Sequence, residues 1–419
     1  MSSIRHLYIH IKQYRESHKP LYVLSVMIFF WTIFDSILSY AIPLILTEHG
    51  LSSTMMGLVI GSSSIAGAGF DFLMCRFVKR VDFRRVFMGM FAISALYPLI
   101  LWQATIIPMY LLGMVIWGIY YDLLNFGIFD FVSRHTEKNE HSASFGVVQV
   151  FRSLGGIIAP LIASLLIIDL VDWKTFAGSF LFLSIGFLFL IFLLILTRKK
   201  KMIVTCVEEN CCEKPKNFLN EIHLWKSIGK YIFPALVLTF FLYTVEAFFW
   251  TIGPIYSETL GLGEFSGLLL TMYSLPSIFV GWFVGRLTEK YGKLKVAYVS
   301  FLVASILLSG FALVSMYMPV LTIGLTFLVA VMVSISFPSV NGAYADYISD
   351  IPKVEKEVES LEDFFTNMGY VAGPILSGFL ADVLGAEKAF SLIGVVGVLL
   401  SVILLRAAAK RAKLNEKQA

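Results

Sequence analysis

The chain has 419 residues, 58% of them hydrophobic and only 15% charged, with a mean hydropathy of +0.79. That balance lies well outside a soluble globular chain and predicts a polytopic membrane protein. The net charge of +4 is small and evenly spread, and no basic run is flanked by aromatic readers of bases, which excludes nucleic acid as a partner.

In chain order, the first residues carry Arg5, Lys12, Arg15 and Lys19. The apolar run after Pro20 is far longer than that of a signal peptide and lacks a small-residue cleavage site, so a retained first span is expected. Ile4, Leu7, Tyr8 and Ile11 stand at helical spacing, which suits either a helix on the inner membrane surface or a polar tail. A bilayer-crossing helix needs about 20 mostly apolar residues. Twelve runs qualify: 21–46, 54–75, 86–105, 109–133, 144–168, 176–197, 230–257, 264–285, 296–316, 319–349, 360–382 and 388–406. They predict an all-α membrane protein in two six-helix bundles, 21–197 and 230–406, with an N-terminal segment 1–20, a linker 198–229 and a tail 407–419.

The linker contains Arg198-Lys-Lys-Lys201 and three of the four cysteines, Cys206, Cys211 and Cys212; Cys75 is the fourth. These read as free thiols on the reducing side, because the spacing is poor for zinc and no His completes a set nearby. No metal or cofactor is expected. All 33 Lys and Arg except Lys174, Lys388 and Arg152 fall in the two terminal segments, the linker and every second loop. The positive-inside rule then places both termini and the linker in the cytoplasm, for a multi-pass protein of the cell (inner) membrane.

Two polar motifs interrupt the apolar pattern at related places. Asn125-Phe-Gly-Ile-Phe-Asp130-Phe-Val-Ser133 and Asn341-Gly-Ala-Tyr-Ala-Asp346-Tyr-Ile-Ser349 each close a long span, 216 positions apart. Asp35, Pro43, Gly50 and Leu51 correspond to Glu246, Pro254, Gly261 and Leu262 at an offset of 211, and Gly155 and Pro160 correspond to Gly369 and Pro374 at 214. Near-constant offsets across two six-span blocks argue for duplication.

The stretch Gly285-Arg-Leu-Thr-Glu289-Lys290-Tyr-Gly292-Lys293-Leu-Lys295 resembles the signature loop between the second and third helices of each half in the major facilitator superfamily, and the resemblance extends over essentially the whole chain. In the first half, Cys75, Lys79 and Asp82 stand where that pattern has Gly, an acid and Gly. Gly369-Tyr-Val-Ala-Gly373-Pro374 and Gly155-Gly-Ile-Ile-Ala159-Pro160 resemble the Gly-Pro element of antiporter subgroups, with Ala159 in place of a Gly. The resemblance implies a twelve-helix secondary transporter working by alternating access.

A titratable group near the bilayer centre is costly and marks a functional candidate. Asp35 and Glu246 lie at symmetry-related depth in the first and seventh spans, where a carboxylate can take up and release a proton as a cavity faces each side. The alternative is a protonated structural acid hydrogen-bonded to a neighbouring helix. Asp122 and Arg152 are unduplicated and lie within side-chain reach of each other, so they form either a structural ion pair or a substrate-recognition pair, with Asn125 and Gln149 at similar depth. Trp31, Tyr120, Tyr121, Tyr243, Trp250, Tyr273 and Tyr370 fall where they can line a cavity for lipophilic or cationic substrates. Asp130, Asp346 and Asp71 sit near the cytoplasmic helix ends beside Arg76, Arg80, Arg286 and Lys290, and with Gly285, Glu289 and Gly292 form a candidate gating layer.

No zinc signature, phosphate-cradling loop or nucleophile elbow is present, so an enzyme is not expected. The leading expectation is a proton-coupled exporter of amphipathic or cationic small molecules. Against it, Met114-Val-Ile-Trp117-Gly118 stands where drug exporters of the family carry Arg-x-x-Gln-Gly. The rival is a proton symporter or facilitator of a small organic anion or polar metabolite, anchored by Arg152. The partners expected are a small-molecule substrate, protons and the lipid bilayer, and one two-half chain suffices for transport.

Overall fold

The computed structural model describes residues 2–77, 82–136, 141–167, 170–198, 218–350 and 355–416. The linker cysteines Cys206, Cys211 and Cys212, and Arg80, lie outside the described residues, as do the side chains of Arg76 and Cys75. The first half comprises α1 (Ser2–Glu48), α2 (Ser53–Phe77), α3 (Phe83–Gln103), α4 (Ile107–His135), α5 (His141–Leu166) and α6 (Trp173–Thr197). The second half comprises α7 (Phe218–Thr259), α8 (Leu268–Ser274), α9 (Pro276–Phe279), α10 (Gly281–Tyr291), α11 (Lys293–Ser309), α12 (Phe311–Tyr317), α13 (Leu321–Asp350), α14 (Glu355–Leu384) and α15 (Ala386–Glu416).

Among the described residues, ten helical segments are long and apolar enough to cross a membrane, and the bent run through α8–α10 makes an eleventh. α14 is the twelfth: it packs against α7 and α2, but Glu355–Glu362 and Asn367 make it more polar than the others. Helices are the form such apolar segments must take, because lipid offers the backbone no hydrogen-bond partner. The sequence predicts one straight eighth span. Instead the helix breaks ahead of Pro276, whose ring nitrogen cannot donate, and turns by 68° around Gly281.

The duplication is visible as geometry. Gly50 and Gly261 hold left-handed φ angles of 75° and 66°, so both end a long helix with the turn that glycine allows most cheaply. Gly155 of α5 lies against the Phe29 carbonyl and Thr32 of α1, and Gly369 of α14 lies against the Phe240 carbonyl and Tyr243 of α7. Those contacts repeat at the same two offsets, 211 on one side and 214 on the other. Small residues let helix backbones approach within the membrane, where association rests on packing rather than on expulsion of water.

The halves join at the face away from the chain termini. There Gly57 of α2 packs on the Pro374 carbonyl of α14, and Gly267, just before α8, packs on the Pro160 carbonyl of α5. Asp382 of α14 accepts hydrogen bonds from the backbone N–H of Ser53 (2.8 Å) and Thr54 (2.7 Å) and from the Thr54 hydroxyl (2.6 Å), so it caps α2 across the seam. The Tyr40 hydroxyl of α1 donates to Glu258 (2.9 Å) and lies within hydrogen-bond distance of Ser257 and Ser266. Ser164 donates to the Glu264 carbonyl, and Thr271 to the Ile157 carbonyl. These hydrogen bonds between the halves all lie in this far part of the molecule.

Candidate functional site

Asp35 lies midway along the apolar part of α1, Lys19–Glu48, and is 7% exposed. Its Oδ1 accepts from the indole N–H of Trp117 (3.0 Å) and the hydroxyl of Tyr120 (2.7 Å), both on α4. Residues three apart share a helix face, so one stripe of α4 supplies both donors. A second layer of rings fixes them. Tyr97 of α3 stacks on Trp117 and meets Tyr120 edge-on, and Trp31 of α1 meets Tyr120 edge-on while donating to Ser94. A buried Trp or Tyr needs a partner for its polar atom, and an aspartate that accepts both satisfies three costly groups together.

Arg152 of α5 lies at the seam between the halves. Its guanidinium sits over the ring of Tyr121, 4.8 Å from the centroid, and interacts electrostatically with both Asp35 and Glu246. Glu246 comes from α7, in the second half, and its side-chain hydrogen-bond partner is Tyr370 of α14. Tyr370 in turn packs on Tyr243, which packs on Phe337. Arg152 and Glu246 are partly accessible, whereas Asp35 is buried. No ion pair within 4.0 Å joins Arg152 to a carboxylate among the described residues.

Asp122 is not brought to Arg152. Its Oδ2 is buried beside Gly67 of α2 with no hydrogen-bond partner, and the carboxylates it feels are Asp71 and, beyond that, Asp363 of α14. Asn125 and Gln149 are exposed. Of the aromatic residues expected at a cavity wall, Tyr243, Trp250 and Tyr370 are partly accessible. Trp31 and Tyr120 are fully buried within the first half, and Tyr273 stacks on Phe249 at 4.2 Å with its hydroxyl buried and unpartnered. Tyr121, expected at the wall, meets Arg152 there, whereas Trp117 is a site residue that the sequence reading left out. The signal that finds it is the spacing Trp117, Tyr120, Tyr121 at mid-span, three polar-tipped rings on one turn of α4 that must each meet a partner.

The motif aspartates tie each half to itself. Asp130 at the end of α4 accepts from the Phe83 N–H at the start of α3 (2.8 Å) and pairs with Arg134 (2.6 Å). Asp346 at the end of α13 pairs with Lys293 at the start of α11, and the same ammonium reaches the Gly342 carbonyl. Both repeats thus fasten the fourth span of a half to the start of its third, rather than reaching Arg286 or Lys290. Arg286, Glu289 and Lys290 are exposed on α10, with Lys290 over the Tyr291 ring. Gly285 has open space around its α-carbon, while Gly292, at φ 86°, makes the turn from α10 into α11.

Comparison with known proteins follows the same lines. The family model described as Major Facilitator Superfamily matches residues 24–356. No curated protein matches the chain. Among solved structures, the nucleoside transporter NupG is similar with a TM-score of 0.73 at 16% identity, over 92% of this chain and 98% of that one. A bacterial homolog to the human lysosomal transporter Spinster, in an inward-facing and unoccupied conformation, gives 0.67 at 14% identity, over 94% and 96%. The transporter FucP in its outward conformation gives 0.58 at 16% identity, over 93% and 99%. At such identities the likeness is one of fold.

Proposed function

The chain belongs to the Major Facilitator Superfamily, and on that premise we propose that it is a proton-coupled exporter of amphipathic or cationic small molecules working by alternating access. The observation that carries this reading is the placement of Asp35 and Glu246, one on each half, around a single Arg152. Two carboxylates and one guanidinium are neutral when one acid holds a proton. Releasing that proton leaves the site with one net negative charge, which a cationic substrate compensates. Proton and substrate therefore compete for the same charge state, which is the basis of exchange. Trp250, Tyr243 and Tyr370 supply an aromatic wall against which an apolar body rests.

In this reading both termini lie in the cytoplasm of a cell with the protein in its inner membrane, and the far-face ties close the outer side. Asp71, Arg76, Arg80, Gly285, Arg286, Glu289, Lys290 and Gly292 form the layer that rearranges when the cytoplasmic side closes, carried by bundles that Asp130 and Asp346 each hold together. Segments 21–197 and 230–406 move as the two rocking bodies, and a single chain is the working unit. Arg152, accessible and free of a close carboxylate, favours a second reading: a symporter or facilitator of a small organic anion or polar metabolite.

Transport in proteoliposomes under an imposed pH gradient separates the two. The exporter reading expects substrate to move against the proton gradient, and Asp35→Asn or Glu246→Gln to abolish that coupling by about a hundredfold or more. Uptake driven by an inward proton gradient in right-side-out vesicles overturns export; persistence of coupling in both variants overturns the assignment of the acids.

A further inference from the structure

Three charged groups meet at the centre, and they differ in what they have left to offer. Asp35 is buried and its Oδ1 is occupied twice, by Trp117 and Tyr120. Burial inside the first half, rather than saturation of its oxygens, closes it to a substrate. Arg152 lies 4.8 Å from the centroid of the Tyr121 ring and shares a side-chain hydrogen bond with that residue, but a guanidinium carries five N–H donors, so donors remain available. Glu246 has one hydroxyl partner, Tyr370, and a carboxylate accepts several bonds. The two groups with capacity to spare are therefore of opposite sign, and they stand on opposite halves: Arg152 on α5 and Glu246 on α7.

We propose that the transported substrate is an amphipathic zwitterion, its anionic group held by Arg152, its ammonium group by Glu246, and its apolar body laid against Tyr121, Tyr243 and Tyr370. This rests on the exporter reading above and narrows its substrate class. A simple cation occupies Glu246 but leaves the spare N–H donors of the guanidinium without an acceptor in a site of low dielectric; a simple anion takes those donors and leaves the Glu246 carboxylate without a cationic partner of its own. A molecule carrying both charges compensates both. It also spans the seam, so its binding energy depends on how the halves are placed, as a ligand that shifts a conformational equilibrium requires. The charge arrangement of the site then sorts substrates by rejecting singly charged analogues as well as by attracting the right one.

The test uses the full-length protein in lipid nanodiscs with three probes that share one aromatic body: phenylalanine as zwitterion, phenethylamine as cation and 3-phenylpropionate as anion, extended to tryptophan, tryptamine and indole-3-propionate. Affinity is read by ligand-induced thermal stabilisation. The zwitterion of a set is expected to bind at least about tenfold tighter than either singly charged analogue. Arg152→Gln is expected to lower zwitterion affinity to the level of the cation, and Glu246→Gln to lower it to the level of the anion. Arg152→Lys keeps the charge without the fork, and partial recovery of zwitterion binding in it separates loss of docking from loss of fold. A cation or anion that binds as tightly as its zwitterion, a panel in which no zwitterion stabilises the protein, or undiminished zwitterion binding in Arg152→Gln overturns the inference. Proton currents during zwitterion transport report separately on coupling: uncoupled transport of a tightly bound zwitterion refutes the exporter reading and leaves this substrate assignment standing.

Discussion

Asp35 and Glu246 occupy matching places in a duplicated chain, yet their surroundings are not duplicated. Asp35 takes its donors from α4, through Trp117 and Tyr120, whereas Glu246 takes its donor from α14, through Tyr370. The acids were legible in the sequence because repetition and depth single out a carboxylate in an apolar run. Their donors were not, because Trp117 and Tyr120 have no counterpart at the repeat positions, and an aromatic residue in a span reads first as packing. The same limit applies to Asp122 and Arg152: adjacency of spans put them within reach of each other, but the rotation of α4 and α5 turns one toward Gly67 and the other toward Tyr121. The arrangement makes a prediction for single atoms. A hydrogen bond to an ionised acceptor is worth about 1.5–3 kcal/mol. Tyr120→Phe leaves Trp117 alone on Oδ1, so coupled transport is expected to fall about tenfold, with a larger loss in the Trp117→Phe, Tyr120→Phe double variant. Transport assays alongside thermal melts check this, and an unaltered double variant removes these residues from any part in holding Asp35.

At the scale of elements, the spans were legible from hydropathy, and the glycine turns at Gly50 and Gly261 from their offset. The break in the eighth span was not, because a single Pro within a membrane helix is often accommodated without one. The pairing of α2 with α14 was also hidden, since a sequence does not say which faces of two bundles meet. That seam is uneven along its length. At the far end Gly57 sits on the Pro374 carbonyl and Asp382 caps α2, while toward the termini Asp71 and Asp363 bring like charges together across it. A methyl group added at Gly57 or Gly267 meets backbone carbonyl rather than a movable side chain. Gly57→Ala and Gly267→Ala are therefore expected to force the halves apart at the far face, lowering transport severely while each half keeps its own packing. Intact folding with lost transport, read by size-exclusion profile and uptake, is the expected outcome; normal transport in both variants refutes the close approach. Asp363→Asn acts at the other end, where removing one of two like charges is expected to favour closure toward the termini.

For the whole molecule, the consequence is a two-sided balance with its ties on one side. The far face is fastened by charge-assisted and hydroxyl bonds at Asp382 and Tyr40 and by the two glycine crossings, all joining one half to the other. The motif aspartates Asp130 and Asp346, in contrast, bond within their own halves among the described residues, so each bundle stays whole while the seam changes. Rocking therefore requires breaking the far ties and little else that is local to a bundle. Losing a cap of this kind costs about 1 kcal/mol, and losing the Tyr40 hydroxyl about the same. Together they shift the ratio of the two states by roughly thirtyfold, since 1.4 kcal/mol is tenfold in an equilibrium constant. The Tyr40→Phe, Asp382→Ala double variant is accordingly expected to populate a state open at the far face. Spin labels at Leu170 and Thr259, both exposed at that end and one on each half, read it directly as a longer distance component. A distance distribution identical to that of the unsubstituted protein shows that these bonds do not hold the far face shut, and leaves the Ser164 and Thr271 bonds with the Gly57 and Gly267 crossings as what does.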